Sequence, residues 1–155
     1  MGKQTMTIGV VGLGLMGGSF AKAYTEAGHN VLAYNRSRAT LDAAIISGIV
    51  TGELNEETIQ TCDLVIIALY PQATIEYLQR MAPHIPARTI VMDTCGVKRN
   101  VCSACFPLAE EHGFTFVGGH PMAGTQFSGF KYSRASMYKD AAMIVVPRRQ
   151  DDFEL

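Results

Sequence analysis

The sequence predicts an α/β fold, a doubly wound and mostly parallel sheet, and three observations predict it. Short apolar runs of strand length alternate with stretches of helical spacing along the chain. One of these runs, residues 63–69 (D-L-V-I-I-A-L), is continuously apolar, as strands buried on both faces are. A glycine-rich turn, Gly12-Leu13-Gly14-Leu15-Met16-Gly17-Gly18, joins the first apolar run directly to a helical stretch.

The elements follow in order. Residues 7–11 form a β-branched strand; past the glycine turn, Phe20, Ala23, Tyr24 and Ala27 recur at helical spacing and Gly28 supplies a stop. A second strand is expected at 30–34, and a second helix is carried by Leu41, Ala44 and Ile45 and ends near Gly48. The strand at 63–69 is expected to end at Pro71, and Ile75, Leu78 and Met81 carry a third helix. A further strand lies at 89–93, then a helical stretch at 97–112 that Pro107 is expected to kink or split. Residues 115–118 lead into a loop carrying His120, and a last strand at 142–146 is closed by Pro147. No internal repeat is visible. Right-handed crossovers between parallel strands place ligands at the carboxyl ends of the strands. The glycine turn, Leu69-Tyr70-Pro71 and residues 93–98 all fall at such ends, and His120 follows a fourth.

With 155 residues and 48% hydrophobic content the chain can bury a proper core, and residues 1–155 are expected to form one domain. The net charge of -1 and the lack of a basic block give no footprint for nucleic acid or an anionic membrane, which leaves small polar substrates open. No apolar run approaches a membrane span, and a strand within the first few residues leaves no room for a signal peptide, so the expected compartment is the cytoplasm. Of the four cysteines, Cys102 and Cys105 stand i, i+3 on a helical stretch, where free cysteine acts as a small hydrophobe. With His29, His84 and His112 scattered, no metal site is expected.

Strand, G-x-G-x-x-G turn and helix in succession form the dinucleotide fingerprint of a Rossmann-type sheet. Gly12 permits the tight turn, Gly14 lets the backbone approach a pyrophosphate, and Gly17 lets the helix pack closely, with the anion at the helix N-terminus. Leu15 and Met16 complete this set, and Leu69, Tyr70 and Thr94 are expected to join it from later strand ends. The second strand closes on Tyr34-Asn35-Arg36-Ser37-Arg38, without the acid that holds an NAD ribose. Arg36 can fork to a 2′-phosphate, with Asn35 and Ser37 adding neutral hydrogen bonds, so the sequence favours NADP over NAD. A charge-assisted hydrogen bond contributes about 1.5–3 kcal/mol, roughly ten- to a hundredfold in affinity. The competing reading leaves Arg36 and Arg38 as solvated charges and makes Ser37 a helix cap.

Residues 118–129, Gly-Gly-His-Pro-Met-Ala-Gly-Thr-Gln-Phe-Ser-Gly, set one titratable side chain among backbone-permissive residues. Gly118, Gly119 and Gly124 are expected to allow tight turns and close backbone approach, and Pro121 restricts His120 to extended or turn dihedrals on a stiff loop. An imidazole titrates near neutral pH, which suits a general base for a hydroxyl proton.

The glycine turn, the D-T-C-G-V-K segment at 93–98 and above all G-G-H-P-M-A-G-T-Q-F-S-G-F at 118–130 resemble the nucleotide-binding half of prephenate dehydrogenases. The resemblance covers nearly the whole chain. It implies oxidative decarboxylation of prephenate to 4-hydroxyphenylpyruvate, a step of tyrosine biosynthesis: the histidine matching His120 takes the ring hydroxyl proton and hydride leaves the same carbon for the nicotinamide. Arogenate is the alternative substrate. β-Hydroxyacid-type dehydrogenases and imine reductases share the glycine turn and the Asn-Arg-Ser strand end, but His120 before Pro-Met-Ala-Gly speaks against them, and a regulatory nucleotide-binding module without chemistry is a third reading.

By the same resemblance Gly96, Gly124, Thr125 and Gln126 lie near substrate. Many members carry serine at the position of Gly96, so a hydrogen bond to the histidine is absent here or supplied by Thr94; others carry glutamate at that of Gln126, whose neutral amide repels a dicarboxylate less. Lys98, Lys131, Arg134 and Lys139 are the cations on offer for the substrate's carboxylates. The resemblance implies a helical dimerisation domain that follows this half in the family and is not expected within residues 1–155, so dimerisation is expected only with that domain. The isolated chain is expected to bind the nucleotide and turn over slowly or not at all.

Overall fold

The structure, a computed structural model, describes residues 2–148; the terminal stretch 151–155, where the sequence reading ended the domain, lies outside the described residues. Seven strands form one sheet: β1 (Thr7–Val11), β2 (Asn30–Tyr34), β3 (Gly52–Glu53), β4 (Leu64–Ile67), β5 (Ile90–Asp93), β6 (Thr115–Pro121) and β7 (Met143–Val146). Their order is β3-β2-β1-β4-β5-β6-β7. All neighbours run parallel except β6 and β7, which pair antiparallel with His120 opposite Ile144. The chain reverses its direction of travel between β1 and β4, and the carboxyl edge at such a switch point opens a crevice.

Four helices cover the sheet: α1 (Leu15–Glu26), α2 (Arg38–Ile46), α3 (Pro71–Met81) and α4 (Arg99–His112). Alternation along the strands sorts the core into two layers. Ile8, Val10, Val31 and Ala33 pack with Leu41 and Ala44 on one side. Val11, Val65, Ile67 and Val91 pack with Leu78, Met81, Val101 and Cys105 on the other. Burying each large aliphatic side chain stabilises by about 1.5–3 kcal/mol, which is why the short apolar runs become central strands. Gly28 and Gly48 follow α1 and α2 at φ of 89° and 74°, the left-handed stops that the sequence led us to expect. No helix among the described residues is long and apolar enough to cross a membrane.

Four features differ from the sequence reading. The stretch ending in His112 is one helix with Pro107 inside it, not two. Proline there removes one hydrogen bond, whereas Val101, Cys102, Cys105 and Ala109 hold the helix on the sheet through burial on both sides of it. Pro71 does not end β4, which stops at Ile67; it opens α3 at the first turn, where its missing N–H is of no consequence. The two-residue β3 was not anticipated, being too short for any period. Finally, His120 stands on a strand rather than a loop, and Gly118 and Gly119 make no turn there but do allow the close approach expected of them.

Candidate functional site

At the carboxyl end of β1 the chain turns sharply at Gly12, whose φ of 92° favours glycine. A Cβ on Gly17 would stand 1.7 Å from the carbonyl oxygen of Gly12, so only glycine lets α1 start this close to the turn. A Cβ on Gly14, in contrast, would meet nothing within 4 Å, so the space in front of it is open to a ligand. No side chain caps the start of α1, and its free N–H groups face the turn as an anion-binding end. The end of β2 holds this turn: Gly12 N–H donates to the Tyr34 carbonyl at 2.7 Å, and Leu13 N–H to Asn35 Oδ1 at 2.9 Å.

The turn forms one wall of a cleft of about 900 Å³ on the carboxyl edge of the sheet. Every cofactor residue expected from sequence lines it: Gly12, Gly14, Leu15, Met16, Gly17, Asn35, Arg36, Ser37, Leu69, Tyr70 and Thr94. Gly96 lines it too, whereas Gly124, Thr125 and Gln126 are exposed on the loop beyond β6 and do not. Sequence reasoning missed the α3 wall, formed by Ala73, Glu76, Tyr77 and Arg80, and also missed Cys95, Ser128 and Gly129. The spacing of residues 73, 76, 77 and 80 along a helix that starts at the end of β4 was a readable signal for the wall. Burial raises the Cys95 thiol above its ordinary range, so this cleft residue is a protonated, weakly polar neighbour rather than a thiolate.

The polar residues at the end of β2 divide by role. Asn35 is committed to the glycine turn, and its amide also donates to the Ser37 carbonyl at 3.2 Å. Ser37 caps α2 by accepting from Thr40 N–H at 3.4 Å, as the competing reading had it. Arg38 pairs with Asp42 at 2.9 Å and with Glu53 at 2.7 Å. Arg36 is exposed in the cleft and has no ion-pair partner among the described residues.

His120 is reached from a different direction. The carboxylate of Asp93, fully buried at the end of β5, accepts from Cys95 N–H at 3.0 Å and from Gly119 N–H at 3.1 Å. Lys98 forms an ion pair with the same carboxylate and donates to the Gly119 carbonyl at 2.5 Å. Lys98 is therefore bound internally and is not a free cation for a substrate carboxylate. A Cβ on Gly119 would lie 2.5 Å from the Asp93 carbonyl oxygen, so this glycine is needed for close packing of β6 on β5. His120, the next residue, presents its ring to Gly96: a Cβ there would stand 3.5 Å from His120 Cε1. Gly96 belongs to the cleft wall, and so the imidazole adjoins the cleft that the glycine turn opens. Its Nδ1 is buried without a hydrogen-bond partner among the described residues. Thr94 does not supply one, because its hydroxyl donates back to the Ile67 carbonyl at 3.4 Å.

Known proteins resemble this chain in sequence and fold. A prephenate dehydrogenase of Bacillus subtilis is 27% identical over 98% of this chain and 42% of its own length. The crystal structure of a Synechocystis arogenate dehydrogenase superposes with a TM-score of 0.85 at 29% identity, over 96% of this chain and 52% of that one. The A. aeolicus prephenate dehydrogenase, solved in complex with hydroxyphenyl propionate and NAD+, gives a TM-score of 0.83 at 27% identity, over 99% and 55%. The chain thus spans about half the length of the relatives it matches. The family described as "Prephenate dehydrogenase, nucleotide-binding domain" matches residues 20–155, from within α1 through the histidine strand to the end of the chain. A glycine-turn cleft with a histidine at its margin, on a chain matched over that length, belongs to the prephenate dehydrogenase nucleotide-binding domain family.

Proposed function

We propose that this chain is the nucleotide-binding half of an enzyme that oxidatively decarboxylates prephenate, with His120 as the base and NADP as the favoured cofactor. The single observation that carries the reading is the meeting of the glycine-turn cleft and His120 across Gly96, on one edge of one sheet. A nicotinamide bound there supplies the hydride acceptor. The chain's own residues do the rest. The Gly12–Gly17 turn and the start of α1 would hold the pyrophosphate of a bound dinucleotide, Arg36 would meet a substituent on its ribose, and His120 would withdraw the ring hydroxyl proton as hydride leaves the same carbon. Loss of carbon dioxide then leaves an aromatic ring. Aromatisation drives the reaction, so alignment and one proton transfer suffice. The fit of the residues to a dinucleotide rests on the open space before Gly14 and the uncapped start of α1.

Arogenate is the second reading, favoured by the Synechocystis enzyme with which this fold superposes. The test is nicotinamide reduction with prephenate or with arogenate, in the longest polypeptide that carries these residues. We expect His120→Asn to lower turnover at least ~100-fold with little change in nucleotide affinity. Turnover unchanged in that variant would remove the base assignment.

A further inference from the structure

We propose that Arg80, on α3, is a second recognition residue for a phosphate carried on the adenosine ribose, acting with Arg36. This rests on the nucleotide reading above.

Arg80 lines the nucleotide cleft and also a neighbouring pocket of about 530 Å³, bounded in part by Tyr34, Glu53 and Tyr77. Its guanidinium lies over two aromatic rings at once, 5.6 Å from the centroid of Tyr34 and 5.4 Å from that of Tyr77. Tyr34 is the last residue of β2, directly before Asn35, so the cation is held on a rigid aromatic floor beside the strand end where a 2′-substituent is read. Tyr77 is nine-tenths buried, and its hydroxyl has no hydrogen-bond partner among the described residues.

Charge balance separates Arg80 from an ordinary surface arginine. Arg38 is neutralised by Asp42 and Glu53, whereas Glu76, which also lines the cleft, accepts among the described residues only from the neutral Gln72 amide at 2.9 Å and keeps its charge. Arg36 and Arg80 line the same cleft, and neither has a carboxylate within ion-pair distance among the described residues. The two guanidinium groups outnumber the one Glu76 carboxylate on this cleft, and neither is paired with it, which favours an anionic substituent over a neutral ribose hydroxyl. The stacked floor holds Arg80 in place in advance, so little side-chain freedom is lost when the anion arrives.

The experiment is calorimetric titration of the 155-residue chain with 2′,5′-ADP and with 5′-AMP, which differ only in the 2′-phosphate. Wild type is compared with Arg80→Met, which keeps an apolar stem on the tyrosines, and with Arg80→Lys, which keeps the charge. We expect wild type to prefer 2′,5′-ADP. Arg80→Met should lose about tenfold or more of the affinity for 2′,5′-ADP and stay within about twofold for 5′-AMP. Arg80→Lys should recover part of that loss. Equal weakening of both ligands by Arg80→Met would make the residue a shelf for the base and overturn the proposal, as would no change in either. Equal binding of the two ligands by wild type would retire the phosphate reading for Arg36 and Arg80 together. Binding of neither would remove the nucleotide site beneath it.

Discussion

The glycine turn after β1 and the glycine-histidine segment of β6 look alike in sequence, yet glycine serves different physical ends in the two. In the turn, Gly12 takes a left-handed φ and Gly17 lets a helix begin against the turn's own carbonyl, so the backbone is shaped to leave room for something else. In β6 the backbone is ordinary extended strand, and Gly118 and Gly119 are small because Cys102, Met92 and Asp93 press on them. The vacancy of the turn lies between that pair, at Gly14, where a Cβ would meet nothing within 4 Å. The second pair fills one, and thereby sets the position of the residue that follows. One edge of the sheet thus acquires a cradle from a turn and a base from a packed strand.

The sharpest way to break this comparison is to remove the cation that anchors the second region. Lys98→Met leaves Asp93 as an unpaired charge in the core, and we expect a loss of about 3–5 kcal/mol in urea unfolding. A loss below ~1 kcal/mol would mean that β6 is held by its other contacts. Next is Gly17→Ala, whose methyl group strikes the backbone of Gly12. The expected effect is about 3 kcal/mol of stability together with loss of measurable nucleotide binding, whereas the Lys98 variant should retain binding once folded. Both regions rest on buried thiols, Cys62 beneath Gly9 of β1 and Cys105 on α4, each pushed up to about 12 by burial. Below about pH 9 both thiols are protonated in the folded and unfolded chain alike. Between about 9 and 12 the unfolded chain loses protons that the folded chain keeps, so stability should fall with rising pH. Unfolding free energies across that window should slope downward, and a Cys62→Ala/Cys105→Ala variant should flatten the slope. The smallest effect belongs to the exposed loop after β6, where Gln126→Ala should change stability by less than about 0.5 kcal/mol.

The same contrast explains what the sequence disclosed. The turn was legible because its signals are local: a β-branched run, glycines at fixed offsets and an apolar helical period within twenty or so residues. Every residue assigned from it lines the cleft. The conformation of His120 was not legible, because a residue before proline is extended in strand and loop alike, and the deciding partner, Ile144, is distant in sequence. The split expected as one outcome at Pro107 does not occur for a related reason, since burial of residues on both sides of it outweighs one lost hydrogen bond. Lys98 stood open as a substrate-binding cation until the structure brought Asp93 and Gly119 to it. The α3 wall was readable from its helical spacing, but the place of Arg80 over Tyr34 needed the fold, because the two meet across the sheet edge.

The account stands on the cleft and the histidine being one site. Histidine-selective NMR during a titration with NADP+ tests this most directly, because four imidazoles report at once. His29 accepts from Met6 N–H ahead of β1, and His84 and His112 end a 3-10 turn and α4, all away from the cleft wall. We expect the His120 ring resonances to shift with the saturation curve of the nucleotide while the other three stay in place. Saturation of the cleft with His120 unmoved would contradict the account.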